Sequence, residues 1–304
     1  MNNTCDIEFH ISGFAGSPGK HPLHFMVVLF IYLIGLLGNL TLISVTFLES
    51  HLQIPMYFFL RNLAFVDICY TSVTLPKLMH IYITGNNAVT FIPCFIQLHF
   101  FTSTGCTEVV LLTSMAYDRY VAICNPLRYF IVMKSRKCTQ LVLISWTFGF
   151  INSLFVTVFA SRLCFCGSKE IEQLFCDIKS LLKISCNDVG DFQVIIYLEV
   201  LLAGLFPFLL SVTSYAKIIL AILKVQSSDG RKKTFSTCTS HLTVLMLFYG
   251  TIFCMYIRPP SKHSEKVDQF FSFLYVAVTP MLNPLIYSLR NQEVKRALKG
   301  IFKL

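Results

Sequence analysis

Seven stretches of this sequence, at about 24–48, 58–83, 95–121, 140–160, 192–222, 238–257 and 268–288, are predominantly apolar. An α-helix needs roughly 20 such residues to cross the hydrocarbon core of a bilayer. No water is present there to satisfy an exposed backbone N–H or C=O, so a helix must pair them internally. Seven spans within 304 residues leave little chain for a water-facing surface. Hydrophobic residues make up 55% and charged residues 13%, with a mean hydropathy of +0.65, far from a soluble domain. The expected fold is an all-α membrane protein, a seven-transmembrane helix bundle forming a single domain over 1–304.

The net charge of +9 does not imply nucleic acid, because the basic residues fall in short clusters between apolar runs rather than along one polar face. Arg128, Lys134, Arg136, Lys137, Lys224, Arg231, Lys232, Lys233, Arg290, Lys295, Arg296, Lys299 and Lys303 all lie on one side of the alternating spans. By the positive-inside rule that side is the cytoplasm. The N-terminus is then outside, residues 1–23 and the long 161–191 loop are extracellular, and 289–304 is a cytoplasmic tail. The first 22 residues hold Asp6 and Glu8 and no long apolar core, so they do not read as a cleavable signal peptide. Asn2-Asn3-Thr4 is a glycosylation sequon on the outer side; Asn39-Leu40-Thr41 matches too but lies inside a span. After the seventh span, Val294, Leu298, Ile301 and Phe302 share one face of a short amphipathic helix ringed by Lys295, Arg296, Lys299 and Lys303.

Of the twelve cysteines, Cys69, Cys106, Cys124, Cys138, Cys238 and Cys254 lie in or at the cytoplasmic ends of spans and read as small apolar packers. Cys5, Cys94, Cys164, Cys166, Cys176 and Cys186 lie outside, where disulfides persist. Spacing alone leaves their connectivity open. Zinc is not expected, because the outer set has no CxxC pair and no nearby His.

Ionisable groups at membrane depth are costly and point to function. Asp67 lies in the second span, Glu108 and Asp118-Arg119 in the third, and Glu199 in the fifth. Asp67 and Glu108, with the amides of Asn39 and Asn283, either hold a cation such as sodium or form a protonated, water-linked network between helices. Pro207 and Asn283-Pro284 remove backbone hydrogen bonds inside the fifth and seventh spans. On the outer half of the third span, Leu98, Phe101, Thr102, Gly105, Cys106 and Val109 recur at helical spacing, with a small gap at Gly105.

The run Met115-Ala-Tyr-Asp-Arg-Tyr-Val-Ala-Ile-Cys124, followed by Asn125-Pro-Leu-Arg-Tyr129, resembles the third-helix signature of vertebrate odorant receptors, within the rhodopsin-like G-protein-coupled receptors. Further matches follow in order along the chain: Gly38-Asn39, Pro55-Met-Tyr-Phe-Phe-Leu60, Leu63 to Asp67, Ser214-Tyr215, Lys233-Thr-Phe-Ser-Thr-Cys-Thr-Ser-His-Leu242, Phe248-Tyr-Gly250 and Pro280-Met-Leu-Asn-Pro-Leu-Ile-Tyr-Ser-Leu-Arg-Asn291. Departures are small: Thr234 stands where Ala is frequent, and Thr239 where Ser is frequent.

The resemblance implies a receptor for small, mostly apolar volatile ligands that activates a stimulatory heterotrimeric G protein and raises cyclic AMP, with no cofactor. It implies that Asp118 holds Arg119 at rest, that Arg119 with Tyr120 meets the G protein, and that Tyr215, Asn283, Pro284 and Tyr287 belong to the switch. A kinked sixth helix is expected to swing outward. The implied disulfides are Cys94–Cys176 and Cys166–Cys186, with Cys5 and Cys164 unassigned. Glu199, Ala203, Ile252, Phe253, Tyr256, Phe273 and Val276 are implied to complete the ligand cavity begun by the third-span face. Within it, Glu199 is expected either to favour amine-bearing or hydrogen-bond-donating odorants or to bond a neighbour such as His99. A transporter would show a repeated half-structure, a channel rings of charge or carbonyls, and an enzyme a nucleophile elbow or HExxH helix; none is present.

Overall fold

In a computed structural model, residues 8–14, 21–186, 194, 197–256 and 264–301 are described. The order is β1 (Glu8–Ile11), α1 (Pro22–Leu48), α2 (Pro55–Thr84), β2 (Ala88–Thr90), α3 (Phe91–Cys124), a short α4 (Tyr129–Val132), α5 (Ser135–Ala160), β3 (Glu170–Ile171) and α6 (Ile178–Lys183). There follow α7 (Tyr197–Leu223), α8 (Ser228–Tyr256), α9 (Ser264–Phe273 continuing through Leu274–Val278 and Thr279–Arg290) and α10 (Gln292–Ile301). Six of the long helices are apolar over a membrane's width by length and composition. In α8 only Cys238–Cys254 is apolar, because its first turns carry Arg231, Lys232 and Lys233 out of the span. Together they form the seven-helix transmembrane bundle.

Most spans start earlier than hydropathy places them, because proline at the first helical position or a polar first turn extends the helix beyond the apolar run. Pro22 and Pro55 open α1 and α2, where the missing N–H costs nothing. Gly85 closes α2 in the left-handed conformation at φ +77°. Asn2, Cys5, Phe302 and Lys303 lie outside the described residues, as do the side chains of Tyr256, Arg290 and Ile301.

Burial separates the helices by role. In α3, 67% of the apolar window is buried within the protein, against 22% in α1, so α3 is the axis and α1 turns Phe30, Leu37 and Phe47 outward as a lipid-facing wall. Gly149 sets the closest approach of α5 to α3: a Cβ there would stand 2.2 Å from Thr107 Oγ1 and 2.5 Å from the Ser103 carbonyl. The sixth span carries no break in its helical hydrogen bonding. α8 contains no proline and runs continuously, while the irregular turns are π-helical and sit in α7 (Val200–Leu205) and α9 (Leu274–Val278), just before Pro207 and Pro280.

A feature absent from the all-helical expectation caps the outer end. β1 pairs antiparallel with β2 (Phe9 opposite Val89) and parallel with β3 (His10 opposite Glu170), giving a three-stranded sheet in the order β2-β1-β3. Its inner face, Phe9, Ile11, Val89 and Ile171, joins Ile81, Phe95, Leu98 and Leu163 in a second apolar cluster. Disulfides join Cys94 to Cys176 and Cys166 to Cys186. The long outer loop is thereby tied both to the top of α3 and to itself.

Candidate functional site

The outer half of the bundle is roofed. Phe175, beside the disulfide, lies against Phe101 with ring centroids 4.5 Å apart, and the Cys176 N–H donates to Gln97 Oε1 at 2.9 Å. Phe14 meets Phe273 edge-on at 5.4 Å. Beneath this roof, Tyr70, Phe101 and Tyr275 form one aromatic group, and Phe208, Tyr249 and Phe253 another. The gap expected at Gly105 is taken up by rings: the position a Cβ would occupy is 3.1 Å from Tyr275 Oη and 3.7 Å from Tyr70. Leu98 packs upward into the sheet cluster, Val109, Ala203 and Val276 are buried, and Thr102 and Ile252 are half-buried.

Glu199 enters this region from the first turns of α7. Its Oε1 accepts from Asn152 Nδ2 of α5 at 2.8 Å, and the same amide lies 3.2 Å from Cys106 Sγ of α3. Three helices therefore converge on one half-buried carboxylate whose described partner is neutral. The alternative partner, His99, is engaged elsewhere, with Nδ1 3.0 Å from Ser153 Oγ. Asp177 follows Cys176 in the roof and adds like charge near Glu199. Asp177 is buried and caps α6 by accepting from the Lys179 N–H at 3.2 Å. Burial pushes its carboxyl up to about 6, opposed in part by Lys179.

At mid-depth, Asn283 donates to both Asp67 oxygens at 3.2 and 3.0 Å, and Asn39 donates to the Gly35 and Pro280 carbonyls, each at 3.0 Å. All four polar side chains, Glu108 included, are 1% exposed or less. Asn39 Oδ1, Asn283 Oδ1 and Glu108 Oε1 have no hydrogen-bond partner among the described residues. Each is an acceptor, so the cluster has unmet capacity for a proton, a water or a small hard cation.

At the cytoplasmic end, Arg119 donates through Nε to Asp118 Oδ2 at 3.0 Å and through Nη2 to the same oxygen. The other oxygen, Oδ1, accepts from Tyr129 Oη at 2.8 Å. Tyr120 carries the Lys217 ammonium 5.3 Å above its ring. Tyr215 Oη is 2.8 Å from His241 Nδ1, which ties α7 to α8, while Tyr287 is buried on α9 with no partner for its hydroxyl among the described residues.

Three of these contributors were passed over in the sequence. Tyr129 and His241 stand inside quoted motifs without a role of their own, and Asn152 is a lone amide in the apolar run from Phe148 to Phe155. The cost of an uncharged polar group in lipid is the signal that singles out Asn152.

The chain resembles known proteins along nearly its whole length. A family model described as olfactory receptor matches residues 28–303. Olfactory receptor 13C9 of Homo sapiens is 43% identical over 99% of this chain and 96% of its own length. Olfactory receptor 13F1 of Homo sapiens is 45% identical over 96% and 92%, and olfactory receptor 1E16 of Mus musculus 42% identical over 99% and 96%.

Proposed function

The chain belongs to the olfactory receptor family, so it is an odorant-sensing G-protein-coupled receptor of the plasma membrane and not an enzyme; from this premise we propose how its parts divide the work. A small, mostly apolar ligand occupies the roofed outer cavity and the cytoplasmic end activates a stimulatory G protein, raising cyclic AMP. The observation that carries the reading is the double engagement of Asp118, by Arg119 on one oxygen and Tyr129 on the other. A guanidinium held in this way is withheld from a partner, and its release is a two-state event that a distant ligand can bias.

Coupling runs through α7, α8 and α9. Ligand packed against Phe208, Tyr249 and Phe253 bears on the middle of α8, whose lower half is tied to α7 through Tyr215 and His241. Displacing α8 outward breaks that bond, frees Tyr215 and opens the groove beside Arg119. The π-helical turns in α7 and α9 supply backbone that can tighten to α-helix without unfolding the span.

The ligand's chemistry is set in part by Glu199. Its contact with Asn152 orients the carboxylate but supplies no charge, and Asp177 adds more negative potential from above. An odorant bearing an amine or another strong donor provides what the cavity lacks. Substituting Glu199→Gln is expected to weaken amine agonists about tenfold while sparing apolar ones; an unchanged agonist profile at matched surface expression excludes this role. For the receptor reading, an odorant panel is assayed by cyclic AMP with and without Arg119→Ala. Loss of the response with surface expression retained is expected, and a full response without Arg119 refutes it.

A further inference from the structure

On the cytoplasmic side, between the first turns of α2 and of α5, lies a cavity of about 610 Å³ that the signalling path does not use. Its lining includes two cations, Arg61 of α2 and Lys134 preceding α5, and no Asp or Glu among the described residues. Gln53 and Ser135 add neutral polar groups, and Ile54, Phe58, Phe130 and Met133 supply an apolar wall.

Neither cation is neutralised by a carboxylate among the described residues, although the Arg61 guanidinium lies 5.3 Å over the Phe47 ring. Arg61 Nη2 makes two long hydrogen bonds, to the Thr46 carbonyl at 3.3 Å and Gln53 Oε1 at 3.4 Å, which close the end of α1. Its Nε is buried with no hydrogen-bond partner among the described residues. The Lys134 ammonium has no hydrogen-bond or ion-pair partner among the described residues, its carbonyl accepting from the Cys138 N–H at 3.1 Å. Lys134 also precedes the 26-residue α5, whose first N–H groups are unpaired within the helix and add positive potential beside it. Arg61 sits six residues into α2, about 9 Å along its axis. Both cations thus lie toward the cytoplasmic ends of their spans and share one cavity with the apolar wall.

An anion alone answers the two cations but leaves the apolar wall facing water. A sterol or zwitterionic lipid covers the wall and leaves two cations without a counter-charge. We propose that the cavity seats an anionic phospholipid of the cytoplasmic leaflet, with its phosphorylated headgroup between Arg61 and Lys134 and its glycerol and upper acyl chain against Phe58, Phe130 and Met133. Phe130 and Met133 belong to the short α4 turn that Tyr129 opens, the Met133 N–H donating to the Tyr129 carbonyl at 2.8 Å, so an occupied cavity holds the turn whose tyrosine restrains the switch.

The test uses the full receptor in phosphatidylcholine nanodiscs, titrated with dioctanoyl phosphatidylinositol bisphosphate and read by native mass spectrometry. Lys134→Gln and Arg61→Gln are each expected to weaken binding about fivefold, and the pair more, in line with the worth of one basic residue near an anionic surface. Lys295→Gln/Lys299→Gln in α10 is expected to leave it unchanged. Dioctanoyl phosphatidylcholine and a sterol are expected not to compete, and soluble inositol trisphosphate to bind more weakly than the lipid. Equal binding by the double variant, equal loss in the α10 variant, or competition by phosphatidylcholine or sterol overturns the proposal. Inositol trisphosphate binding as tightly as the lipid assigns the site to a free phosphate and also overturns it. Should Arg61→Gln fail to reach the membrane, exposed Lys134 carries the charge test. A phosphoinositide with a diazirine on its acyl chain then reports position: crosslinks at Phe130–Met133 are expected, and crosslinks confined to other helices refute the placement.

Discussion

The two ends of this bundle are built on different principles. The outer end is held by two disulfides, a three-stranded sheet and an apolar cluster, all of which persist whatever lies beneath them. The cytoplasmic end is held by side-chain hydrogen bonds, Arg119 and Tyr129 to Asp118 and Tyr215 to His241, each of which a modest energy can exchange for another partner. On the proposed reading, a roof that does not rearrange gives a ligand a fixed surface to work against, and a floor of exchangeable bonds lets that work appear as an opening.

The contrast is broken most severely at the roof. The Cys94–Cys176 bond closes a loop of 82 residues in sequence separation, so Cys94→Ser is expected to remove about 4 kcal/mol of stability and most surface expression. Flow cytometry on intact cells checks this, and normal surface levels would show that the sheet and apolar cluster hold the roof unaided. A smaller effect is expected at the floor. Tyr129→Phe removes one hydrogen bond to a buried carboxylate and should raise ligand-independent cyclic AMP roughly tenfold with expression unchanged. Basal signalling that stays flat, or falls, would mean that Asp118 retains Arg119 without help.

The mildest test concerns pH. Asp177 in the roof has its carboxyl raised to about 6, mainly by burial, from 3.8 when unfolded. A raised carboxyl penalises the folded state once it ionises, so its cost grows as pH rises from about 4 through 6 and is constant above. Acidification from pH 7 to 5 should therefore stabilise the roof by about 1 kcal/mol, and Asp177→Asn should abolish that dependence. Thermal unfolding of the purified receptor at the two pH values reads it; a wild type that is destabilised on acidification contradicts the sign.

The floor was more legible in the sequence than the roof. Asp118, Arg119, Tyr215 and Tyr287 fall in contiguous motifs, and a charge in an apolar run marks itself by its cost. Most roof contacts join residues far apart in the chain, as where Phe9 faces Val89 or Phe101 meets Phe175, and strands of two to four residues are too short for alternation to register. The residues proposed to meet the ligand were legible only as a face of α3. Which neighbour satisfied Glu199 was decided by α5, and the spacing at Gly105 gave no sign that Tyr70 and Tyr275 would occupy it.

By itself, then, the sequence determined the solvent, the number of crossings and their direction, because hydrocarbon rejects any unpaired backbone group and basic residues stay on the cytoplasmic side. Tertiary structure alone decided which oxygen of Asp118 Tyr129 takes, that Asn152 holds Glu199, and that Arg61 and Lys134 face a common cavity. Hydropathy sums over a helix and fixes where it lies. Pairing depends on the rotation and depth of one helix against another, and only close packing sets those.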